Sequence, residues 1–294
     1  MYDLIIIGMG ISGITASIYA KRAGMKVLLL EGSAPGGTIN KISMIENYPG
    51  YSSIAGPDLA YNLFEEVNKL QIEYKLEKVT DVILEETSKR VKTTSNVYEA
   101  KYLLIASGRH PKMLGLKNEE KFLGRGISTC ALCDGALYKN SDVAVIGGGS
   151  SALSEALYLA NIVNKVYLIH RREEFRGEDT LVRETKERKN IELILNNEVT
   201  ELKVEDDTLK GIVLKDGRKI NVKGIFIYVG FIPNTEFLES TNLKMEDGYI
   251  IVDNHHETNI KGVYASGDVT KKEIYQIVNA ASEGAEAVVY MTNK

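Results

Sequence analysis

Short apolar runs that stop at glycine divide the chain into alternating predicted strands and helices. Residues 2–7 are mostly aliphatic and stop at Gly8, which is typical of a parallel strand buried on both faces. A helix is predicted for about residues 14–22 and a second strand for residues 26–31. Strand, glycine turn, helix and strand in this order form a βαβ unit.

This unit recurs later in the chain. Residues 142–146 predict a strand, a glycine turn follows, a helix runs to about residue 161, and residues 166–170 predict the next strand. The turns read Gly8-Met9-Gly10-Ile11-Ser12-Gly13 and Gly147-Gly148-Gly149-Ser150-Ser151-Ala152. Such turns let the backbone approach a pyrophosphate at a helix N-terminus, and two copies in the right context predict two dinucleotide sites. The alternative is a pair of tight turns without ligands.

The remaining pattern completes an α/β fold with two Rossmann-like, three-layer nucleotide-binding domains. A Gly- and Pro-containing loop is predicted for residues 35–56, a helix for 57–69 and strands within 73–98. Further buried strands are predicted at residues 101–108 and 224–233, and a final helix at about 274–291.

Composition narrows the function to that of an ordinary globular enzyme. The chain has 294 residues, enough for about two domains, and a net charge of −4 with a pI near 5.8. This charge argues against nucleic acid or an anionic membrane as the main partner. The apolar N-terminal run is too short for an export or membrane segment, so a cytoplasmic location is expected.

The two βαβ units differ where a nucleotide's ribose is recognised. Glu31 ends the first unit, and its carboxylate can accept hydrogen bonds from ribose hydroxyls while repelling a 2′-phosphate. His170 stands at the equivalent place in the second unit and is followed by Arg171, Arg172 and Arg176. Guanidinium groups suit a phosphate dianion. We therefore expect a nucleotide without a 2′-phosphate, such as FAD, at the first turn and NADP(H) at the second; a solvated basic face is the alternative for the arginines.

The only two cysteines, Cys130 and Cys133, lie two residues apart just before the second glycine turn. A CxxC dithiol can close a disulfide and exchange two electrons with another thiol–disulfide pair. Half of a zinc site is the alternative, but four ligands would be needed and no suitably spaced histidines follow. The pattern predicts a redox centre and no metal.

Seven motifs in order resemble low-molecular-weight bacterial thioredoxin reductase, a class II pyridine nucleotide-disulfide oxidoreductase, along nearly the whole chain. They are Gly8-x-Gly10-x-x-Gly13, Glu46-Asn47-Tyr48-Pro49-Gly50, Cys130-x-x-Cys133-Asp134-Gly135, Gly147-Gly148-Gly149-x-Ser151-Ala152, His170-Arg171-Arg172-x-x-x-Arg176, Val229-Gly230-Phe231-Ile232-Pro233-Asn234-Thr235 and Ala265-Ser266-Gly267-Asp268-Val269.

The resemblance implies a set of site residues. It assigns Cys130 and Cys133 as the redox pair and Asp134 as an acid–base group; a helix N-cap is the alternative for Asp134. The implied FAD residues are Gly8, Gly10, Ile11, Ser12, Gly13, Glu31, Gly36, Gly37, Thr38, Asn47, Gly108, Gly267, Asp268, Tyr275, Gln276 and Ile277. The implied NADPH residues are Gly148, Gly149, Ser150, Ser151, His170, Arg171, Arg172, Arg176 and Gly230.

The resemblance also implies the domain order and the reaction. Residues 1–112 and 241–294 would form the FAD domain, and residues 113–240 an inserted NADPH domain with the CxxC. Electrons would pass from NADPH through FAD and the disulfide to thioredoxin or a thioredoxin-like protein. The enzyme would be a homodimer, and its domains would rotate about connections near residues 110–113 and 237–241. Either sulfur could face the flavin.

Two other functions are open from the sequence. A flavin thioredoxin reductase fed by ferredoxin would typically lack the second glycine turn and the arginine cluster, both of which are present here. A redox-sensing flavoprotein without turnover is the other.

The sequence departs from the family pattern at four positions. Thr38 stands where Gln is usual, and Tyr275 where many members have Arg before Gln276. Ser107 replaces Thr, and Ser150 replaces Asn or Asp. Thr38 and Tyr275 would lie near the flavin, so donor preference and potential depend on them.

Overall fold

A computed structural model describes residues 1–42 and 45–293. The chain divides into two compact units, one formed by Met1–His110 with Ile232–Lys294 and the other by Pro111–Phe231. We call them the outer unit and the inserted unit. An α/β fold with one unit inserted into the other agrees with the predicted fold class.

The outer unit is built on a sheet that is parallel on one side and antiparallel on the other. Tyr2–Ile7 lies between Val27–Leu30 and Val97–Ile105 and is parallel to both. Within the described residues, the strands of this sheet follow the order Glu73–Lys75, Val27–Leu30, Tyr2–Ile7, Val97–Ile105, Lys89–Thr93 and Val79–Leu84, and Val263–Ala265 also pairs with Val97–Ile105. Val97–Ile105 is one continuous strand and joins two segments that the sequence predicted separately.

Alternate residues of the first strand enter different cores, which explains why its apolar run is unbroken. Leu4 and Ile6 belong to the cluster that includes Ile14 of the first helix. Ile5 and Ile7 pack on the other face. Because both faces of the strand are covered, a polar residue at any of these positions would be buried without a partner.

Three helices of the outer unit are Ile11–Arg22, Gly56–Lys69 and Ile277–Thr292. The first begins directly at the glycine turn, three residues before the predicted start, and the last begins after Gln276. Short 3-10 helices occupy Gly37–Lys41, Glu236–Leu238 and Gly267–Val269. Residues 43 and 44 of the predicted loop lie outside the described residues.

The inserted unit repeats the parallel arrangement. In the described residues its five strands follow the order Ile191–Ile194, Lys165–Ile169, Asp142–Gly147, Gly224–Tyr228 and Ile127–Ser128. Its helices are Ala131–Asp134, Ser150–Leu159 and Asp179–Glu187, with 3-10 helices at Glu119–Phe122 and Gly135–Tyr138. Val199–Glu205, Thr208–Leu214 and Lys219–Asn221 form a separate antiparallel sheet. The predicted second βαβ unit is therefore present.

The chain returns to the outer unit earlier than the predicted boundary after residue 240. Asn234 explains the difference, since its side-chain amide donates to the Ser107 carbonyl at 2.7 Å and its backbone N–H donates to Gly108 O at 2.9 Å. Leu238 is fully buried in the core that holds Ile5. Residues 232–240 thus pack as part of the outer unit.

Two short two-stranded sheets are also present in the described part of the chain. Arg109–Pro111 pairs with Phe231–Pro233 where the chain leaves and re-enters the outer unit, and Met245–Glu246 pairs with Tyr249–Ile250. In the described part of the chain, no helix has the length and apolar character needed to cross a membrane.

Candidate active site

The first glycine turn is shaped by contacts that leave no room for side chains at its ends. Gly8 has φ of +104°, and a Cβ there would lie 2.3 Å from Ala106 O. A Cβ on Gly13 would lie 1.9 Å from Gly8 O. A Cβ on Gly10 would meet nothing within 4 Å, and no side chain caps the helix that follows. The turn therefore presents free N–H groups of a helix N-terminus beside open space, as a pyrophosphate requires.

The Glu31 carboxylate is fixed by backbone groups. Its Oε2 accepts a hydrogen bond from Met9 N at 2.8 Å, and its Oε1 accepts one from Ser33 N at 2.8 Å. The negative charge of Glu31 is thus held next to the glycine turn by a hydrogen bond from the turn itself. Each oxygen keeps a lone pair for a further donor such as a ribose hydroxyl.

A cavity of about 570 Å³ in the outer unit collects most of the predicted FAD residues. This volume lies in the usual range for cofactor pockets. The predicted residues that line it are Gly10, Ile11, Ser12, Gly36, Thr38, Asn47, Gly108, Gly267, Asp268, Tyr275, Gln276 and Ile277. The other predicted FAD residues, Gly8, Gly13, Glu31 and Gly37, are not among its lining residues. Gly8, Gly13 and Glu31 instead shape the adjoining turn.

Contacts between distant segments hold one wall of this cavity. The buried hydroxyls of Ser12 and Ser266 lie 2.7 Å apart and share a hydrogen bond. Gly267 N donates to Glu283 Oε2 at 2.7 Å, and the same carboxylate pairs with Lys272. The glycine turn, the Gly267 segment and the last helix are therefore locked together.

The residues after Gly267 make further polar contacts at the cavity. Asn47 Nδ2 donates to Gln276 Oε1 at 3.3 Å. Arg109 Nε lies 3.2 Å from Asp268 Oδ2, and the Arg109 guanidinium carbon lies 3.9 Å from the centre of the Tyr275 ring. Burial raises the pKa of Tyr275, so this phenol is neutral at pH 7. Two remote parts of the chain thus contribute polar side chains to the same cavity: Asn47 from one, and Asp268, Tyr275 and Gln276 from the other.

The second glycine turn uses His170 as a packing residue. A Cβ on Gly148 would lie 2.2 Å from the His170 ring, which is buried and stacks on Phe175 with centroids 5.5 Å apart. Burial lowers the pKa of His170, and Arg176, Arg172 and Arg171 add to the effect, so the ring is uncharged at pH 7. His170 therefore supports the turn, and positive charge must come from the arginines.

The three arginines lie on the loop that covers this turn. Arg171, Arg172 and Arg176 are exposed, and no carboxylate of the described residues is within ion-pairing distance of them. Arg176 N donates to Gly148 O at 2.7 Å. A Cβ on Gly177 would lie 3.0 Å from Ser150 N. The loop is thus held against the helix N-terminus, with three guanidiniums available to an anion.

The remaining predicted NADPH residues lie at ends of elements of the inserted unit. Gly149 is the N-cap of helix Ser150–Leu159, and the Ser150 hydroxyl accepts a hydrogen bond from Glu178 N at 3.1 Å. Ser151 is exposed in the first turn of that helix. Gly230 follows strand Gly224–Tyr228 with φ of +114° and is also exposed.

The two cysteines form a disulfide at the start of a one-turn helix. Their Cα atoms are 5.3 Å apart, and Cys133 N donates to Cys130 Sγ at 3.1 Å. Cys130 is half-buried and Cys133 is exposed. Within the described residues, no group of three or more His, Cys, Asp or Glu side chains is arranged to hold a metal ion. The predicted redox disulfide is confirmed as a bonded pair.

Tyr228 and Asp134 flank this disulfide helix. The Tyr228 hydroxyl accepts a hydrogen bond from Ala131 N at 2.7 Å, and burial, followed by the Glu155 charge, raises its pKa. Tyr228 therefore anchors the helix as a neutral group. Asp134 ends the helix, and its carboxylate makes no capping hydrogen bond to the 3-10 helix that follows. Asp134 therefore occupies the N-cap position of that 3-10 helix without capping it through its carboxylate, and its acid–base role stays a prediction.

A second cavity, of about 840 Å³, lies in the inserted unit and is larger than the cavity of the outer unit. It includes Tyr138 and Asp142 but none of the predicted site residues. Cavity volume alone would therefore not have identified the site that the motifs and the disulfide indicate.

Sequence reasoning missed several residues that shape the sites, among them Tyr228, which anchors the disulfide helix. Arg109 and Glu283 act on the first cavity, and Gly177 lets the arginine loop approach the second turn. No short motif marks Arg109 or Glu283, because their partners lie far away in the chain. Gly177 directly follows Arg176, so the glycine itself was the available signal.

Adding a methyl group to Gly13 and to Gly10 should separate folding from cofactor binding. Gly13→Ala must displace Gly8 O, so the free energy of unfolding of the apoprotein is expected to fall by about 1–3 kcal/mol. Gly10→Ala meets no atom and should leave stability unchanged, while FAD affinity falls at least about tenfold because the backbone can no longer approach the pyrophosphate. Urea unfolding of the apoproteins measures the free energy of unfolding, and FAD titration measures the affinity. Equal free energies of unfolding for Gly13→Ala and Gly10→Ala would contradict the steric role of Gly13.

Reversing the charge at Glu31 should weaken FAD binding. Glu31→Arg removes the acceptor of Met9 N and of a ribose hydroxyl; hydrogen bonds to charged groups contribute about 1.5–3 kcal/mol each, so affinity should fall about 10- to 100-fold. Glu99→Arg, an exposed position on strand Val97–Ile105 of the same unit, is the matched control. Unchanged FAD affinity in Glu31→Arg would show that this carboxylate does not serve the cofactor.

The protein has two Rossmann-type units, and one of them carries a disulfide between two closely spaced cysteines. This arrangement is typical of a disulfide oxidoreductase. The pyridine nucleotide-disulphide oxidoreductase family matches residues 2–284, and the chain belongs to this family. Its members are enzymes that use flavin and nicotinamide cofactors, which confirms the family resemblance drawn from the motifs.

Individual relatives match over nearly the full length. The chain is 40% identical to a thioredoxin reductase from Mycoplasma pneumoniae, covering 98% of this chain and 94% of the relative. It is 36% identical to a thioredoxin reductase from Bacillus subtilis, with 98% and 92% covered. The crystal structure of Lactococcus lactis thioredoxin reductase is similar with a TM-score of 0.88 and 38% identity, covering 99% of both chains.

Proposed function

We propose that this protein is an NADPH-dependent thioredoxin-disulfide reductase. NADPH, a proton and oxidised thioredoxin would give NADP⁺ and the dithiol of thioredoxin, so that two electrons pass and one disulfide is reduced. The observation that carries the proposal is the Cys130–Cys133 disulfide in the unit that also bears the second glycine turn and its arginines. The names of the full-length relatives support the same activity.

FAD fits the outer unit, and we assign the 570 Å³ cavity to it. The free N–H groups after Gly10 suit the pyrophosphate, and Glu31 suits the adenosine ribose. Asp268, Tyr275 and Gln276 would bound the rest of the cofactor. When bound, FAD supplies a two-electron carrier between nicotinamide and disulfide.

NADPH fits the inserted unit. Its pyrophosphate would lie at the N-terminus of helix Ser150–Leu159, where Gly149 leaves the backbone open. Arg171, Arg172 and Arg176 would hold the 2′-phosphate because they are exposed and lack carboxylate partners among the described residues. The intact turn and these arginines favour NADPH over ferredoxin as the electron source.

The helix that carries Cys133 takes part in the steps in which the Cys130–Cys133 disulfide is reduced and then exchanges with thioredoxin. Tyr228 fixes the backbone of this helix, and the Asp134 carboxyl, free of a capping role, would hand a proton to the dithiol as the disulfide opens. Electrons then leave by thiol–disulfide exchange with thioredoxin or a thioredoxin-like protein. We place this reaction in the cytoplasm and propose a homodimer.

Domain rotation is part of the proposal. The NADPH residues and the disulfide belong to one unit and the FAD residues to the other, so both must reach the same cofactor in turn. The paired connections Arg109–Pro111 and Phe231–Pro233 are the places where the backbone can absorb such a movement.

Asp134→Asn should slow the transfer of electrons from the reduced flavin to the Cys130–Cys133 disulfide. The amide keeps the shape of the side chain but cannot carry the proton, so the rate of disulfide opening is expected to fall by about 10²–10⁴-fold. Rapid anaerobic mixing of the oxidised enzyme with NADPH, followed by acid quenching and alkylation of free thiols, measures this step. Asp142→Asn, at the start of a strand, is the control, and an Asp134→Asn rate equal to that of the parent would remove Asp134 from the mechanism.

Cofactor release and turnover test the proposal as a whole. Heat should release FAD and no FMN from the purified yellow protein, and NADPH should drive reduction of oxidised thioredoxin. Flavin that is reduced by ferredoxin but by neither nicotinamide would overturn the NADPH assignment. Flavin reduction without any thioredoxin turnover would overturn the activity.

A further inference from the structure

Arg109 makes two directed contacts at the cavity that we assign to FAD. Its Nε lies 3.2 Å from Asp268 Oδ2, and the side chains of Arg109 and Asp268 are only 16% and 27% exposed. Because a partly buried ion pair is screened less than a surface pair, this contact fixes both groups. Asp268 lines the cavity and Arg109 is not among its lining residues, so Arg109 acts on the cavity through Asp268.

The second contact is with an aromatic ring of the same wall. The guanidinium carbon of Arg109 lies 3.9 Å from the centre of the Tyr275 ring, within the range of a cation–π contact. Tyr275 also lines the cavity. Arg109 is therefore held between Asp268 and Tyr275 and sets the position of both.

The negative charges at this cavity explain why a cation beside Asp268 would favour FAD binding. FAD carries an anionic pyrophosphate, and Asp268 adds a further negative charge to the cavity wall. Lys272 also lies near Tyr275, with its Nζ 5.8 Å from the ring centre, but it pairs with Glu283. Among the described residues, the ion pair recorded for Asp268 is with Arg109, which thus offsets its charge.

We propose that Arg109 is a positioning residue of the FAD cavity, which orients Asp268 and Tyr275 and offsets the charge of Asp268. The inference rests on the proposed function, since it takes the cavity to hold FAD. Position 275, where many family members carry arginine, carries tyrosine here. In this protein the guanidinium would reach that wall from the strand Arg109–Pro111 instead.

FAD titration of apoprotein variants tests the role of the side chain. Arg109→Gln is expected to weaken FAD binding about tenfold or more, because Asp268 loses its counter-charge and Tyr275 its stacking partner. Arg109→Lys, which keeps the charge but not the planar fork, should lie between Arg109→Gln and the parent. Arg90→Gln, an exposed arginine that pairs with Glu85 in the same unit, is the matched control and should bind FAD as the parent does.

Relocating the charge provides the sharper test. In the parent, Tyr275→Arg places a second guanidinium against Arg109 and should weaken FAD binding. In the Arg109→Gln background, the same Tyr275→Arg change returns a cation to Asp268 and should strengthen binding about tenfold. The sign of the effect at position 275 therefore depends on residue 109, which a purely structural loss of packing would not produce.

The outcomes separate this inference from the proposed function. If the parent binds FAD and Arg109→Gln binds it equally well, the inference is wrong and the function stands. A Tyr275→Arg effect of the same sign in both backgrounds would also overturn it. If the parent apoprotein has no affinity for FAD, the function and the inference fall together.

Discussion

Serine in place of either Cys130 or Cys133 is expected to abolish reduction of thioredoxin while leaving reduction of the flavin by NADPH intact. The two cysteines are the only ones in the chain and are bonded to each other, so no other thiol can replace them. Disulfide exchange needs one sulfur to attack and the other to close the ring again. The nicotinamide half-reaction uses neither sulfur.

Both half-reactions are measured on the same samples. Anaerobic mixing with NADPH follows the flavin absorbance, and turnover with oxidised thioredoxin follows NADPH consumption. Thr129→Ser introduces serine next to the pair but retains both sulfurs, and it should turn over normally. Turnover by either cysteine variant would refute the dithiol relay.

The second large effect is expected at the three arginines of the inserted unit. Charge-assisted hydrogen bonds contribute about 1.5–3 kcal/mol each, so loss of two contacts to a 2′-phosphate should raise the NADPH concentration needed for half-maximal flavin reduction by about 10²- to 10⁴-fold, and loss of a third should raise it further. Replacing Arg171, Arg172 and Arg176 with Gln should therefore remove the preference for NADPH. Use of NADH, which lacks that phosphate, should hardly change.

A charge-matched triple variant controls for the loss of positive charge. Arg22, Arg125 and Arg218 are exposed and lie outside the predicted nucleotide residues, and replacing them with Gln makes the same change in net charge. This protein should keep the parent's preference for NADPH. If both triple variants lose it equally, the effect is one of general charge and the assignment of the arginine cluster is wrong.

Features written in local sequence could be predicted. Gly8, Gly10 and Gly13 predicted the first turn because its steric demands fall within six consecutive residues, and the spacing of Cys130 and Cys133 predicted the disulfide. The buried strand at residues 2–7 followed from its unbroken apolar run.

Features that join distant segments could not be predicted. Arg109 meets Asp268 and Tyr275 only because the chain returns after the inserted unit, and Asn234 moves the unit boundary through contacts with Ser107 and Gly108. The role of His170 in packing could not be predicted either: the sequence placed it among the NADPH residues, and the structure shows a buried, uncharged ring that supports the turn. Whether it also contacts NADPH stays a prediction.

The central claim is that electrons from NADPH reach the Cys130–Cys133 disulfide through the flavin. The direct measurement is anaerobic reaction of the oxidised enzyme with NADPH, followed by acid quenching, alkylation of free thiols and mass analysis of the peptide that contains both cysteines. The account predicts two alkylated cysteines after NADPH, and none when oxidised thioredoxin is added before the quench. A flavin that is fully reduced while the peptide stays unalkylated would contradict it.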